Sequence, residues 1–171
     1  MNSFKQIDPL ELQVRPSYLI GKQWMLISAR DHEGRMNTMT AAWGGLGWLW
    51  ERPVAFVFIR PERFTKRFVD DANTLSLCFL PEKHRKTLRY LGTVSGRDVD
   101  KVAESGLTVS DVDGTPVFDE SELALICRKL YRQTMEPGCF IDDTVIPAHY
   151  KTQGFHDVYV VELEKVLIAQ R

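Results

Sequence analysis

The sequence predicts a mainly β fold with short helices, an antiparallel barrel, and three observations carry the prediction. Short runs of strand character recur along the first half between turn-forming residues. Two longer strand segments follow near the C-terminus, and every stretch with helical spacing is brief. The first strands are expected over Gln23 to Ala29, over Met36 to Trp43 after the Asp31-His32-Glu33-Gly34 turn, and over Pro53 to Ile59 after Glu51-Arg52, a meander. Phe64 and Phe68, four apart in Glu62 to Asp71, share one face of a crossover helix that leads to a strand over Thr74 to Leu80. Further short amphipathic helices are expected over Glu82 to Tyr90 and over Asp98 to Glu104, the latter behind the Ser95-Gly96 turn. Leu123 to Gln133 returns to strand character, and Val158 to Ile168 alternates, turning Glu162 and Glu164 away from Val161 and Leu163. Between these two, Pro137 to Tyr150 carries Pro, Gly and Asp residues that predict a loop or a single helical turn over the barrel mouth.

A chain of 171 residues fits one domain, residues 1–171, and a domain of this size buries roughly 70% of the surface its unfolded form exposes. Hydrophobic residues at 44% and charged residues at 26% are the mix of a packed globule, not of a disordered chain. Lys and Arg number 22 against 23 Asp and Glu, so no basic excess exists to neutralise a nucleic-acid backbone. The longest strong apolar run, Val54 to Ile59, is far below the ~20 residues of a membrane-spanning helix, and Met1 to Leu12 lacks the apolar stretch of a secretory signal. Cys78, Cys127 and Cys139 are odd in number and form no C-x-x-C pair, which suits a reducing cytoplasm.

Familiar catalytic constellations are missing. His32, His84, His149 and His156 show no metal-binding spacing, and Gly44-Gly45-Leu46-Gly47 lacks the spacing of a dinucleotide-binding turn. Anion-binding side chains instead concentrate at strand ends: Thr38 and Thr40, then Arg60, Arg63 and Thr65, then Ser95 and Arg97. Guanidinium forks and hydroxyls match the charge and the three acceptor oxygens of a phosphomonoester. Pro61 suits a first helical turn, which would bring free helix N–H groups to the same place. The competing reading is a solvated turn whose arginines pair with Glu62, Asp70 or Asp71.

The segment Asn37-Thr38-Met39-Thr40-Ala41-Ala42-Trp43-Gly44-Gly45-Leu46, followed by Val57-Phe58-Ile59-Arg60-Pro61-Glu62-Arg63-Phe64-Thr65, resembles the flavin reductase-like, FMN-binding split-barrel family, the flavoredoxin branch in particular. The likeness continues through Leu77-Cys78-Phe79, Gly92 to Lys101, Leu130-Tyr131, Phe140-Ile141-Asp142 and His156-Asp157-Val158-Tyr159. The resemblance implies an antiparallel split barrel, a homodimer with flavin near the subunit boundary, and FMN held by the N-x-M-T strand, the R-P-x-R-x-T loop and the S-G-R-D turn. Carried to this chain, those are Asn37, Thr38, Met39, Thr40, Ala41, Ala42, Arg60, Arg63, Thr65, Ser95 and Arg97, with Trp43 directly behind the strand motif. Ala41 and Ala42 are small enough for their amides to approach a flavin edge. The implied function is oxidoreduction in which NADH or NADPH reduces FMN and the reduced flavin serves a protein or small-molecule acceptor. No catalytic side chain is then required, because the flavin carries the chemistry. An electron carrier with tightly bound FMN and a flavin-free binding module are the two alternatives.

Single residues divide between roles. Trp48 and Trp50 are expected to pack in the core or an interface, while Trp43 divides between flavin contact and support of its strand. His156 matches a family position near the site opening but is expected to be structural or solvated, and Cys78 to be a buried thiol. Phe140 either shields the flavin or is plain core. One departure from the family pattern is Val161, where glycine often precedes the glutamate of the last strand.

Overall fold

The computed structural model describes residues 4–170; Met1 to Ser3 and Arg171, the ends of the expected domain, lie outside the described residues. The strands are β1 (Phe4–Ile7), β2 (Met25–Arg30), β3 (Met36–Ala41), β4 (Gly44–Leu49), β5 (Arg52–Ile59), β6 (Thr74–Phe79), β7 (Val109–Val112), β8 (Thr115–Phe118), β9 (Leu123–Thr134) and β10 (Asp157–Ala169). The helices are α1 (Pro16–Tyr18), α2 (Thr65–Asp71), α3 (Arg85–Thr93), α4 (Lys101–Glu104) and α5 (Val145–His149). Strands β3-β2-β6-β9-β10-β5-β4 form one antiparallel path, β1 joins it beside β10, and β7 and β8 form a separate hairpin. The fold is therefore mainly β, an antiparallel split barrel. No helix among the described residues is long and apolar enough to cross a membrane.

Long β10 closes the sheet on itself by changing partners. Its first half pairs with β5, its last residues pair with β1, and it lies along β9 throughout. Register shifts at Val160/Val161 and Leu163/Lys165 let it bend, as bulges do. Val161, at the first shift, is fully buried inside the barrel, so the departure from glycine is filled by core packing. The alternation read from the sequence holds: Val161 and Leu163 face the core, whereas Glu162 and Glu164 accept hydrogen bonds from Arg128 on β9.

Two apolar clusters flank the sheet. The inner one fills the barrel with Ile27, Met39, Val57, Ile59, Leu77, Leu125 and Tyr159, and α2 adds Phe68 and Val69. The outer one lies between the other face and α3, where Leu26, Cys78, Leu88, Leu91 and Phe118 meet. Cys78 is thus a buried thiol, as expected, and packs away from the barrel interior.

Several element boundaries differ from expectation. The crossover helix begins at Thr65, because a turn closed by the Arg63 N–H to the Arg60 carbonyl occupies the preceding residues. Pro61 therefore sits in that turn and not in the helix. Glu82–His84 forms a tight 3-10 turn before α3, and α4 starts only at Lys101, capped by the Asp100 side chain accepting from the Ala103 N–H at 3.1 Å. Trp48 and Trp50 are 60% and 52% exposed, so neither packs in the core; the Trp50 ring meets the half-exposed Tyr131 ring edge-on at 6.2 Å.

The path of strands ends at β3 and β4, which follow one another in the chain and are joined only by Ala42 and Trp43. Ladder pairing stops at Ala41 opposite Met25 and resumes at Gly44 opposite Val57. That break is the split in the barrel, and Gly44 makes it tight: a Cβ there would lie 2.8 Å from the Phe56 carbonyl oxygen and 3.3 Å from Met25 Cε. Backbone cannot yield as a side-chain tip does. Gly44→Ala should therefore destabilise the fold by about 1–3 kcal/mol, as overpacking does. In a chain of this size that lowers the melting temperature by roughly 2–4 °C per kcal/mol, readable by circular dichroism.

Candidate functional site

A cavity of ≈ 330 Å³ opens at this split. Met39, Thr40, Ala41, Ala42 and Trp43 form one wall, Phe58, Arg60, Glu62 and Arg63 a second, and Gly92, Gln153 and His156 close it. The small residues keep the floor open. Thr40 fixes the wall to α3 by donating its Oγ1 hydrogen to the Leu88 carbonyl at 2.5 Å. Gly92 lets α3 come this close, since a Cβ on it would meet Thr40 Cβ at 3.2 Å. Ala42 and Trp43 lie outside both ladders, so their peptide groups are available to a ligand.

Of the sequence-derived residues, Met39, Thr40, Ala41, Ala42, Trp43, Arg60 and Arg63 share this cavity. Asn37 and Arg97 lie instead in a second groove beyond the Arg60–Arg63 turn, with Phe64, Arg67 and Lys101. Asn37 Nδ2 donates to Thr65 Oγ1 at 3.2 Å, and Gly96 packs so closely that a Cβ on it would fall 2.7 Å from Asn37 Oδ1. The Ser95-Gly96-Arg97 turn is thereby pressed against the strand motif. Ser95 lines neither space; its Oγ accepts the Arg97 N–H at 3.2 Å and shapes the turn. Thr65 is buried, and Thr38 is buried with its hydroxyl bonded to Ser28 Oγ and the Ile27 carbonyl. Strand alternation puts Thr38 under the outer layer, which the motif alone does not reveal.

Among the described residues, Arg63, Arg97 and Lys101 have no carboxylate salt-bridge partner. Arg63 donates to the Gly92 carbonyl at 2.8 Å and the Thr40 carbonyl at 3.5 Å, and Arg97 donates to the Glu62 carbonyl at 3.2 Å while its guanidinium lies 4.9 Å from the Phe64 ring centre. Lys101, buried on α4, donates to the Leu91 and Val94 carbonyls at 2.8 and 3.0 Å. The three acids offered by the sequence as partners for these arginines are committed elsewhere. Glu62 accepts the Gly154 N–H, Asp70 pairs with Lys66 and Arg132, and Asp71 pairs with His32. The solvated ion-pair reading of the loop therefore fails. Burial pulls Lys101 down to about 8, helped by the nearby Arg63 charge, and burial also lowers Arg63. Lys101 is a cation the sequence reading did not single out, though it stands at the end of the Gly92 to Lys101 motif.

Arg60 differs from this pattern. Its two terminal nitrogens donate to the Gly154 carbonyl at 3.1 Å and the His149 carbonyl at 2.8 Å, and its guanidinium lies 4.9 Å from the Tyr150 ring centre and 5.8 Å from that of Trp43. It anchors the segment over the barrel mouth rather than presenting a free fork. That segment, expected to be a loop or a single helical turn, holds two short helical elements, a 3-10 turn over Pro137–Cys139 and helix α5. Phe140, Tyr150 and Phe155 cluster within it at 4.7 to 5.6 Å, with Tyr150 and Phe155 stacked and Phe140 edge-on or tilted to both. His156 lies beneath, buried, with its ring 5.2 Å from Trp43. Burial and the Arg60 charge hold its pKa down to about 4. Of the two roles expected for His156, structural or solvated, its burial fits the structural one, and Gln153, Gly92 and His156 join the wall without a distinctive sequence spacing.

Comparison with known proteins agrees with this architecture. An FMN-binding domain of a flavin reductases-like enzyme from Shewanella baltica superposes with a TM-score of 0.70 at 15% identity, covering 98% of this chain and 78% of that one. Flavoredoxin of Desulfovibrio vulgaris gives 0.69 at 20% identity over 96% of this chain and 77% of its own. An FMN-binding protein from Thermus thermophilus with bound 1-cyclohex-2-enone gives 0.65 at 24% identity over 97% and 79%. An uncharacterized protein of Aeropyrum pernix is 30% identical over 106 residues, which are 58% of this chain and 39% of that protein, so the match spans well under half of that relative. The family model for the flavin reductase like domain matches residues 18–170, and the chain belongs to that family.

Proposed function

We propose that the chain binds FMN at the barrel split and works as an oxidoreductase, an NAD(P)H-dependent flavin reductase that hands electrons from the reduced flavin to an acceptor. The observation that carries this reading is the set of buried or half-buried cations, Arg63 and Lys101 foremost, whose hydrogen bonds all end on backbone carbonyls. Burying charge without a counter-charge is costly, and a phosphate dianion relieves it. The second supporting feature is the cavity itself. At ≈ 330 Å³ it is near the lower end of the roughly 300–1,000 Å³ of small-molecule sites, a size that would admit a flat ring system.

The residues divide the work accordingly. Ala41 and Ala42 leave space for the ring edge, and the peptide groups at Ala42 and Trp43 supply donors to it. Arg63 and Arg97 would hold the phosphate. Lys101 adds positive potential from behind while holding the α3 carbonyls, so it is a positioning residue. Bound FMN supplies two-electron chemistry at its N5, with NADH or NADPH as donor. The protein orients the ring and excludes water from one side through the segment that Arg60 anchors. The relatives named above, FMN-binding proteins and a flavoredoxin, support the same cofactor. We assign the molecule to a homodimer with the flavin near the boundary, on the exposure of Trp48, Trp50 and Tyr131 at 60%, 52% and 43% near the edge strand β4. Light scattering at micromolar concentration should give twice the chain mass.

The purified protein incubated with FMN should retain flavin absorbance through gel filtration and bleach on anaerobic mixing with NADH or NADPH. Retained flavin that neither nucleotide bleaches would make the protein an electron carrier, and a colourless protein would remove the proposal. Arg63→Ala should weaken FMN binding roughly 10- to 100-fold, the loss of charge-assisted hydrogen bonds worth about 1.5–3 kcal/mol, in a flavin fluorescence titration. Affinity should also depend on pH with a definite sign. Below about 6 the phosphate takes up its second proton and loses charge. Above about 8 Lys101 of the free protein loses its proton and the site loses potential. Binding is therefore tightest between these limits, and Lys101→Met should abolish the alkaline fall.

A further inference from the structure

Helix α3 and the turn before it carry a stripe of positive charge on their solvent side. Lys83, Lys86 and Arg89 follow at every third residue, all exposed, and Lys22 adjoins the head of the stripe, where its carbonyl accepts from Arg85 at 2.6 Å. Among the described residues none of these four cations stands in an ion pair, and the acid at the head, Glu82, has both oxygens held by Arg85 at 3.2 and 2.9 Å. Elsewhere on the surface Arg35, Arg52, Arg128 and Lys165 each lie against a carboxylate. The stripe works against its own helix. Cations three or four positions apart repel one another, as Lys86 with Arg89 and Arg85 with Arg89, and the first turn, where the macrodipole favours acids, has none. The formal net charge of the chain is -1, so a generally basic surface is not the cause. The opposite side of α3 buries Leu88 and Leu91, and its Leu88 and Gly92 carbonyls receive Thr40 and Arg63 from the cavity wall. One helix, about 10–12 Å across, therefore separates the stripe from the cavity.

We infer that this face of α3 is the docking surface for an acidic electron-carrier protein, the acceptor served by the flavin of the preceding section, on which the inference rests. Charge complementarity selects an acidic partner, and the dimensions select among acidic ones. From Lys83 to Arg89 the stripe runs six residues, about 9 Å of helix, too short to follow a nucleic-acid backbone. Residues 82–93 expose no large apolar side chain, which a helix lying on a membrane would need. Small charged faces that steer an opposite charge and release it quickly are those of electron-transfer encounters. Two one-electron carriers, docking in turn, take the two electrons of one reduced FMN, and its protons leave to water.

Cytochrome b5, an acidic one-electron acceptor, serves as the probe, and cytochrome c, a basic one, as its control. The FMN-loaded protein, freed of unbound flavin and reduced anaerobically, is mixed with either in a stopped-flow instrument. Reduction of cytochrome b5 should slow about 10-fold or more between roughly 10 and 300 mM salt, as the attraction is screened, while that of cytochrome c should not slow. The triple variant Lys83→Glu, Lys86→Glu, Arg89→Glu should slow cytochrome b5 about 10-fold or more at low salt and speed cytochrome c, with FMN affinity and bleaching by NADH or NADPH unchanged. The milder Lys83→Gln, Lys86→Gln, Arg89→Gln, which removes charge without reversing it, should fall between. Equal cytochrome b5 rates in the natural and variant chains overturn the inference, and so does a rate blind to salt. Should the protein retain no FMN, docking is read at low salt from its amide resonances with oxidised cytochrome b5 added. Shifts centred on residues 83–89 then uphold the docking surface and remove the flavin reading, whereas their absence removes both.

Discussion

Arg63 and Lys101 hold the end of α3 by its carbonyls, and much of the site follows from that arrangement. The last turn of a helix exposes unpaired C=O groups carrying a partial negative charge, which makes it a favourable place for cations, worth about 0.3–1 kcal/mol each when exposed. Leu91, Gly92 and Val94 provide those oxygens here. Partial charges do not neutralise whole ones, however, and burial lowers the pKa of both side chains. The fold thus keeps a positive potential in a place shielded from water. By holding Arg63 between α3 and the Thr40 carbonyl, the same bonds fix one edge of the cavity before any ligand arrives.

Barrel closure supplies the other edge. A sheet that curls until its terminal strands are successive in the chain leaves two or three residues to make the join, and those residues cannot all pair. In this protein they are Ala42 and Trp43, and the tight approach of Gly44 to Phe56 leaves little slack there. Topology thus creates the unpaired peptide groups, and residue choice decides whether a ligand reaches them. Alanines leave the approach open, whereas Trp43 turns a large ring along the wall, 43% exposed and 5.3 Å from His149.

The strands that bury a face were legible in the sequence because alternation or a continuous apolar run marks them: β2, β3, β5, β6, β9 and β10 fall within two residues of expectation. Strand β4 was not, since Gly44, Gly45 and Gly47 have poor strand propensity and its outer residues stay exposed. The β7–β8 hairpin was marked by Asp113-Gly114, both with positive φ as in a tight hairpin turn, but its strands are only four residues each and offer little periodicity. Within the site, residue type identified the cations, and their partners required the fold. Thr38 and Thr40 look alike in sequence, yet Thr38 bonds to β2 and Thr40 lines the cavity. Lys101 is distinguished only by its burial, which no local pattern announces.

Arg60 shows how one residue type serves two purposes three positions apart. Arg63 leads towards the uncompensated end of the cavity, but the Arg60 fork closes on two carbonyls of residues 149–154, and Glu62 takes the Gly154 N–H from the same turn. A charged loop on one side of the cavity thereby holds the mouth segment on the other. Gly154 permits the contact, because a Cβ on it would lie 2.5 Å from Pro61 Cγ. The wall bearing Tyr150 and His156 is consequently tied to the Arg60–Arg63 turn by charge-assisted bonds rather than by apolar burial alone. Residues 60–63 therefore serve both sides of the cavity: Arg63 lines its wall, while Arg60 and Glu62 hold the mouth segment opposite.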